Sequence, residues 1–154
     1  MDEVRWLDVD EMRSWRAFIK GSETLLTRLD AELQSEHGLS LSEYEVLVVL
    51  SEAEFGIRMK DLASMALQSR SRLTHTCNRL ERDGLMVRTK CPTDGRGLVA
   101  LLTDAGWERL RTCAPTHVRG VRRYLIDVLS HEEQAVIAEA MTRVFDVVSE
   151  TPQP

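Results

Sequence analysis

The side chains equipped to do chemistry are concentrated between residues 69 and 96. Ser69, Arg70, Ser71 and Arg72 open a run in which Thr74, His75, Asn78 and Arg79 follow at helical intervals. A helix turns by about 100° per residue, so Leu73, Cys77 and Leu80 share one face, with Thr76 beside them. Ser71, His75, Asn78 and Arg82 then fall on the opposite face, with Arg72 and Arg79 on one flank and Thr74 on the other. These are the residue types that read DNA. Arg grips guanine with two hydrogen bonds, Asn pairs with adenine, and Ser or Thr bonds a phosphate or a base edge. The N-terminus of such a helix adds backbone N–H groups and partial positive charge for a phosphate. A turn cluster, Pro92-Thr93-Asp94-Gly95-Arg96-Gly97, follows shortly after. Arg96 on a narrow tip suits a minor groove, and Asp94 can accept its guanidinium hydrogen bonds and fix its direction. On an isolated helix a polar outer face is simply a solvated face. Between a second short helix and a basic hairpin, it points to nucleic acid.

The charge distribution supports that placement. The chain of 154 residues has a net charge of −5, which taken alone argues against a polyanionic partner. Residues 1–57 carry five basic and thirteen acidic groups, whereas residues 58–96 carry nine basic and four acidic ones. Charges on exposed surfaces are screened beyond a Debye length of ~8 Å at physiological salt, so a phosphate backbone senses the local basic patch.

Several elements must position these residues. From about Asp8 to Glu36 the apolar positions Met12, Trp15, Ile19, Leu26, Leu29 and Leu33 form one narrow stripe of a long helix that ends at Gly38. Ser42 and Glu45 have the spacing of a capping box, and the apolar run Val46 to Leu50 follows as a buried second helix. Ile57 to Met59 suits a short strand, and Met59 to Leu67 a small helix. Ser69 caps the next helix, which runs to Asp83 and stops at Gly84. Leu85 to Cys91 reads as a half-buried strand with Arg88 and Lys90 outward, and Leu98 to Leu102 as its returning partner. Thr103 caps a long helix in which Pro115 should produce a kink or a split. Ser130 and Glu133 form a capping box that opens a last helix. The expected fold class is mainly α with a small β-wing, a winged helix-turn-helix flanked by N- and C-terminal helices. Residues 1–154 are read as a single domain, with a DNA-binding lobe at 38–103 and flanking helical segments at 1–37 and 104–150.

The run Leu62-Ala63, Ser69-Arg70-Ser71, Leu80-Glu81, Gly84-Leu85, Asp94-Gly95-Arg96, then Leu102-Thr103 with Gly106, resembles the MarR family of bacterial regulators. The resemblance covers nearly the whole chain, and the Asp-x-Arg wing followed by Leu-Thr-x-x-Gly is its most specific part. It implies a homodimeric winged helix-turn-helix regulator of transcription, with the flanking segments as dimerisation helices and 69–83 as the recognition helix. It also implies that Arg96 is a minor-groove arginine supported by Asp94. The partner is then double-stranded DNA carrying a near-palindromic operator, and the expected sign of regulation is repression. Gln68 departs from the family, which usually has an apolar residue at the entry to the recognition helix.

Other signals point less far. Relatives of this type often bind small aromatic effectors, which gives Trp15 and Phe18 a second reading as ligand-binding residues besides packing. Cys113 and His117 stand four apart, a spacing used by zinc ligands, and His131 could join them in space, but no second close pair accompanies them. No metal and no cofactor is therefore expected. Three cysteines, Cys77, Cys91 and Cys113, are an odd number and fit free thiols in a reducing cytoplasm. The acidic N-terminus lacks the basic and apolar regions of a signal peptide, and no apolar stretch is long enough for a membrane span. There is no phosphate-cradling glycine loop and no nucleophile elbow, so an enzyme is not expected. The rival function is a winged-helix module that binds a protein partner and not DNA.

Overall fold

The computed structural model describes residues 4–90 and 97–150. Its elements are α1 (Val9–His37), α2 (Leu41–Ser51), β1 (Ile57–Arg58), α3 (Met59–Met65), α4 (Arg70–Arg82), β2 (Met86–Lys90), β3 (Leu98–Leu102), α5 (Asp104–Tyr124), a 3-10 turn (Ile126–Val128) and α6 (His131–Glu150). They form two compact units, Met1–His117 and Val118–Pro154. The mainly helical winged fold is as the sequence implies.

In the first unit, α2 is the hub. Val46, Leu47 and Leu50 are buried together with Leu33 of α1, Leu62 of α3, Leu73, Cys77 and Leu80 of α4, and Met86 of β2. Burying each large aliphatic side chain contributes roughly 1.5–3 kcal/mol, which is how short helices such as α3 are held. The capping box of α2 lies two residues earlier than expected. Ser40, not Ser42, is the N-cap: its hydroxyl accepts from Glu43 N, and Glu43 Oε2 accepts from Ser40 N at 2.8 Å. Both spacings exist in the sequence. The earlier one prevails because it buries Leu39 and Tyr44 on either side of the cap, at the N′ and N4 positions of a hydrophobic staple. It also lets Asp30 of α1 accept from Leu41 N at 2.8 Å.

The sheet is three-stranded and antiparallel in the order β1-β3-β2, so the short strand at Ile57 adds an edge to the hairpin. Met86 pairs with Leu102 and Lys90 with Leu98, while Ile57 pairs with Ala100. The alternation of β2 is opposite to the expected phase. Met86 is fully buried and Val87 exposed, which puts Arg88 on the side of Met86. Arg88 is accommodated there because Glu81 of α4 meets its guanidinium.

The root of the hairpin is joined closely to α5. Thr103 Oγ1 donates to Gly84 O at 2.7 Å and accepts from Gly106 N at 3.0 Å, and Thr103 N donates to Leu85 O at 3.2 Å. A Cβ on Gly106 would lie 2.0 Å from Leu85 O. The Leu-Thr-x-x-Gly run is thus a cap followed by a close approach of two backbones. Pro115 does not split α5, which is continuous from Asp104 to Tyr124.

In the second unit, Ser130 and Glu133 form the expected capping box, with Ser130 N donating to Glu133 Oε2 at 2.8 Å and Glu133 N to Ser130 Oγ at 3.2 Å. Gln134 Nε2 donates to Ile126 O and Leu129 O, fixing the turn before α6. None of the α6 side chains is buried, and Val136, Ile137, Val144, Phe145 and Val148 are exposed.

Because the atom facing Gly106 is a backbone carbonyl, no rotamer change relieves a clash there. Gly106→Ala is expected to destabilise the protein by about 1–3 kcal/mol, as overpacking does. Thermal denaturation followed by circular dichroism checks this, and an unchanged midpoint would contradict the close approach.

Candidate nucleic-acid interface

Helix α4 begins and ends as the sequence predicts. Ser69 Oγ accepts from Arg72 N at 3.2 Å, and the helix closes with Gly84 at φ 73°. Gly84 N donates to Glu81 O and Leu85 N to Leu80 O, the paired bonds of a Schellman motif. The preceding helix α3 closes the same way, with Leu67 N donating to Ser64 O and Gln68 N to Ala63 O. Here, however, the left-handed position is held by Leu67 at φ 50°, with 79% of its surface exposed. A side chain in that conformation costs roughly 1–2 kcal/mol relative to glycine, and the turn is held by its neighbours. Gln68 is one of them. Its Nε2 donates to Ser42 O at 2.9 Å, and its Oε1 accepts from Thr76 Oγ1 at 3.1 Å. The residue that departs from the family pattern therefore bridges α2 and α4.

The inner face of α4 is Leu73, Thr76, Cys77 and Leu80, all buried. Ser69, Arg70, Ser71, Arg72, Thr74, His75, Asn78 and Arg79 are all exposed, so one surface carries every expected contact within the helix. They are not equally available. Thr74 Oγ1 donates to Arg70 O at 2.8 Å, and Arg72 Nη2 donates to Ser42 Oγ at 2.7 Å. Asn78 Oδ1 accepts from Arg88 Nη2 at 2.7 Å. Arg79 Nε pairs with Glu43 Oε1 at 2.9 Å. Arg82 Nε pairs with Asp83 Oδ1 at 3.2 Å. The Arg88 hydrogen bonds hold the Glu81 carboxyl below the usual carboxylate range. A polar recess of about 530 Å³ lies between α2 and α4, lined by Ser42, Glu43, Ser71, Arg72, His75 and Arg79 among others. Sequence reasoning missed Ser42, Glu43, Gln68 and Glu81 as members of this site. The available signal was the second capping-box spacing, Ser40 to Glu43.

Asp94, Arg96 and Cys91 lie outside the described residues. Trp15 and Phe18 lie side by side on α1, with ring centroids 6.3 Å apart, and are 52% and 44% exposed. The stripe that includes Trp15 is buried only at its far end, at Leu29 and Leu33. Cys113 is buried, and the ring of His117 lies against Tyr44 at 4.6 Å. Among the described residues no three His, Cys, Asp or Glu side chains gather in a cluster that could hold a metal ion. Nor, among the described residues, is any helix long and apolar enough to cross a membrane.

A short helix delivering an exposed polar face, braced by a second helix and followed by a hairpin, defines a winged helix-turn-helix. Comparison with known proteins gives it a family. A MarR family model matches residues 37–97. The crystal structure of AbsC, a MarR family transcriptional regulator from Streptomyces coelicolor, is similar with a TM-score of 0.90 and 39% identity, covering 96% of this chain and 100% of that one. Sco3205 from the same organism, a MarR family transcriptional regulator solved in complex with DNA, shares 41% identity with a TM-score of 0.88, over 100% of this chain and 94% of that one. The HTH-type transcriptional regulator MhqR of Bacillus subtilis is 29% identical over 109 residues, 71% of this chain and 74% of its own. The chain belongs to the MarR family of transcriptional regulators.

Burial pushes the Cys77 thiol up to about 11. The thiolate is the reactive form, so folded protein at pH 8 should leave Cys77 unalkylated by iodoacetamide, whereas denatured protein should label fully. Peptide mass mapping checks this, and rapid native labelling of Cys77 would refute its core position.

Proposed function

We propose that this chain is a sequence-specific repressor that binds double-stranded DNA as a homodimer. The observation that carries the reading is the face of α4. Ser69, Arg70, Ser71, Arg72, Thr74 and His75 stand exposed along its first turns above a fully apolar inner face. Its N-terminus offers backbone N–H groups and partial positive charge to a phosphate. The 41% identity to a relative crystallised with DNA supports the same partner here. In this reading residues 1–154 are one regulator subunit, with 38–103 as the reading lobe and 1–37 and 104–150 as dimerisation segments. The exposed apolar residues of α1 (Trp15, Phe18 and Leu26) and the apolar residues of α6 support that assignment, since each helix presents a face that a second copy can cover. Two recognition helices then enter successive major grooves about one helical turn apart, on a near-palindromic operator. Asp94 and Arg96 complete the interface, Arg96 entering the minor groove and Asp94 orienting it. A small aromatic effector that docks beside Trp15 and Phe18 would compete with the dimer packing and release the DNA.

Phosphate contacts supply much of the affinity in such complexes, so binding should fall steeply with salt. Arg96→Ala is expected to weaken operator binding by about 1–3 kcal/mol in a fluorescence-anisotropy titration. An unchanged dissociation constant would remove Arg96 from the interface. Thermal-shift screening with small aromatic acids should raise the melting temperature of the native protein and not of Trp15→Ala. A screen in which no acid raises it would leave Trp15 and Phe18 to packing.

A further inference from the structure

Between α2 and α4 lies a set of bonds that only internal structure uses. Glu43 is 2% exposed, its carboxylate accepts from Ser40 N at 2.8 Å and from Ser40 Oγ at 2.7 Å, and it forms an ion pair with Arg79 Nε at 2.9 Å. Gln68 and Arg72 bond the next residue along, Ser42, from the turn and from the first turn of α4. The N-terminal turn of α2 therefore holds the recognition helix at three points: its entry, its first turn and its third turn. Asp30 of α1 holds the same turn of α2 from behind, through Leu41 N.

We infer that Glu43 and Arg79 are positioning residues for DNA reading: their ion pair, with the Gln68 bridge, fixes how α4 is presented, and Arg79 is not itself a contact to DNA. This rests on the DNA-binding reading above. The physical case is the cost of the alternative. For Arg79 to reach a phosphate it must leave a carboxylate that is almost wholly buried, and a buried charge stripped of its partner is far more costly than an exposed ion pair is favourable. The pair is anchored at one end and open at the other. Glu43 is fixed by its capping bonds, while the Arg79 side chain is 55% exposed, as suits a strut that reaches across a surface recess. The Asn78 amide oxygen accepts from Arg88 on the hairpin side. The reading surface is thereby shifted toward the first two turns of α4, where Arg70, Ser71 and His75 lie.

The test uses the full-length protein and the duplex recovered by in vitro selection with the wild type, beside a scrambled duplex of equal length. Arg79→Gln, Arg79→Lys, Glu43→Gln and the double variant Glu43→Gln/Arg79→Gln are titrated across a salt series. The strut predicts that each single variant loses about 10-fold in affinity for the selected duplex and nothing for the scrambled one. That loss is the size expected when an ion pair with one exposed and one buried partner is broken. Arg79→Lys should fail like Arg79→Gln, because a point charge does not replace the geometry of the guanidinium. The double variant should be no worse than either single, since both remove one interaction. The slope of log K against log salt should match the wild type for every variant. A phosphate contact would instead lower that slope by about 0.9 in Arg79→Gln and spare Arg79→Lys. A base contact would make Glu43→Gln harmless and the double variant additive. Either result overturns the proposal. Circular dichroism at the titration temperature verifies that each variant is folded, and Arg79→Gln, altered only at an exposed position, keeps the test alive if Glu43→Gln is not. Failure of the wild type to bind any duplex in a salt-dependent way would instead overturn the DNA-binding reading itself.

Discussion

A carboxylate buried at the start of a helix sets the terms for the rest of this lobe. Glu43 closes the α2 capping box, and at that depth its charge requires partners in fixed positions. The capping N–H and hydroxyl come from Ser40, and the counter-charge comes from Arg79, thirty-six positions later. The interaction satisfies an orphan donor at a helix N-terminus and ties that terminus to α4. Hydrophobic burial of Leu47, Leu50, Leu73 and Leu80 brings α2 and α4 together, but apolar contact is non-directional. The polar bonds of Glu43, Ser42 and Gln68 supply the direction.

The outer face of α4 is consequently a mixture of engaged and available groups. Arg72 spends one donor on Ser42, Asn78 accepts from Arg88, and Arg88 is itself neutralised by Glu81. A count of arginines along the sequence overstates the positive charge offered to a phosphate backbone, because Arg79, Arg82 and Arg88 each face a carboxylate. These pairs lower the general attraction of the surface for polyanions and hold its side chains in fixed positions.

Much of this was legible before any coordinates. The inward Leu73, Cys77 and Leu80 and the outward Ser71, His75 and Asn78 follow from helical periodicity alone, and both ends of α4 were marked by Ser69 and Gly84. The helix start at Asp8 and the capping box at Ser130 were equally plain, since local chemistry decides them. The start of α2 was not, because Ser40 and Ser42 each begin a valid capping box, and the burial of Leu39 and Tyr44 with the contacts of Asp30 and Arg79 favours the first. The phase of β2 was misread for a similar reason. Arg88 looks like an outward residue, and the inward alternative is tolerable only because Glu81 waits seven residues earlier on another element. Pairings across elements, with no fixed sequence spacing, were the part that pattern could not reach.

The close approach at Gly106 has a mechanical consequence. With no room for a methyl group between the first turn of α5 and Leu85 O, and with Thr103 bonded to Gly84 and Leu85, helix and hairpin root meet without slack. The joint sits one residue after the end of α4's cap, so three elements share it. A small rotation of the first turns of α5 therefore cannot be absorbed by sliding. It would press directly on the backbone at Leu85, one residue before the strand that begins at Met86.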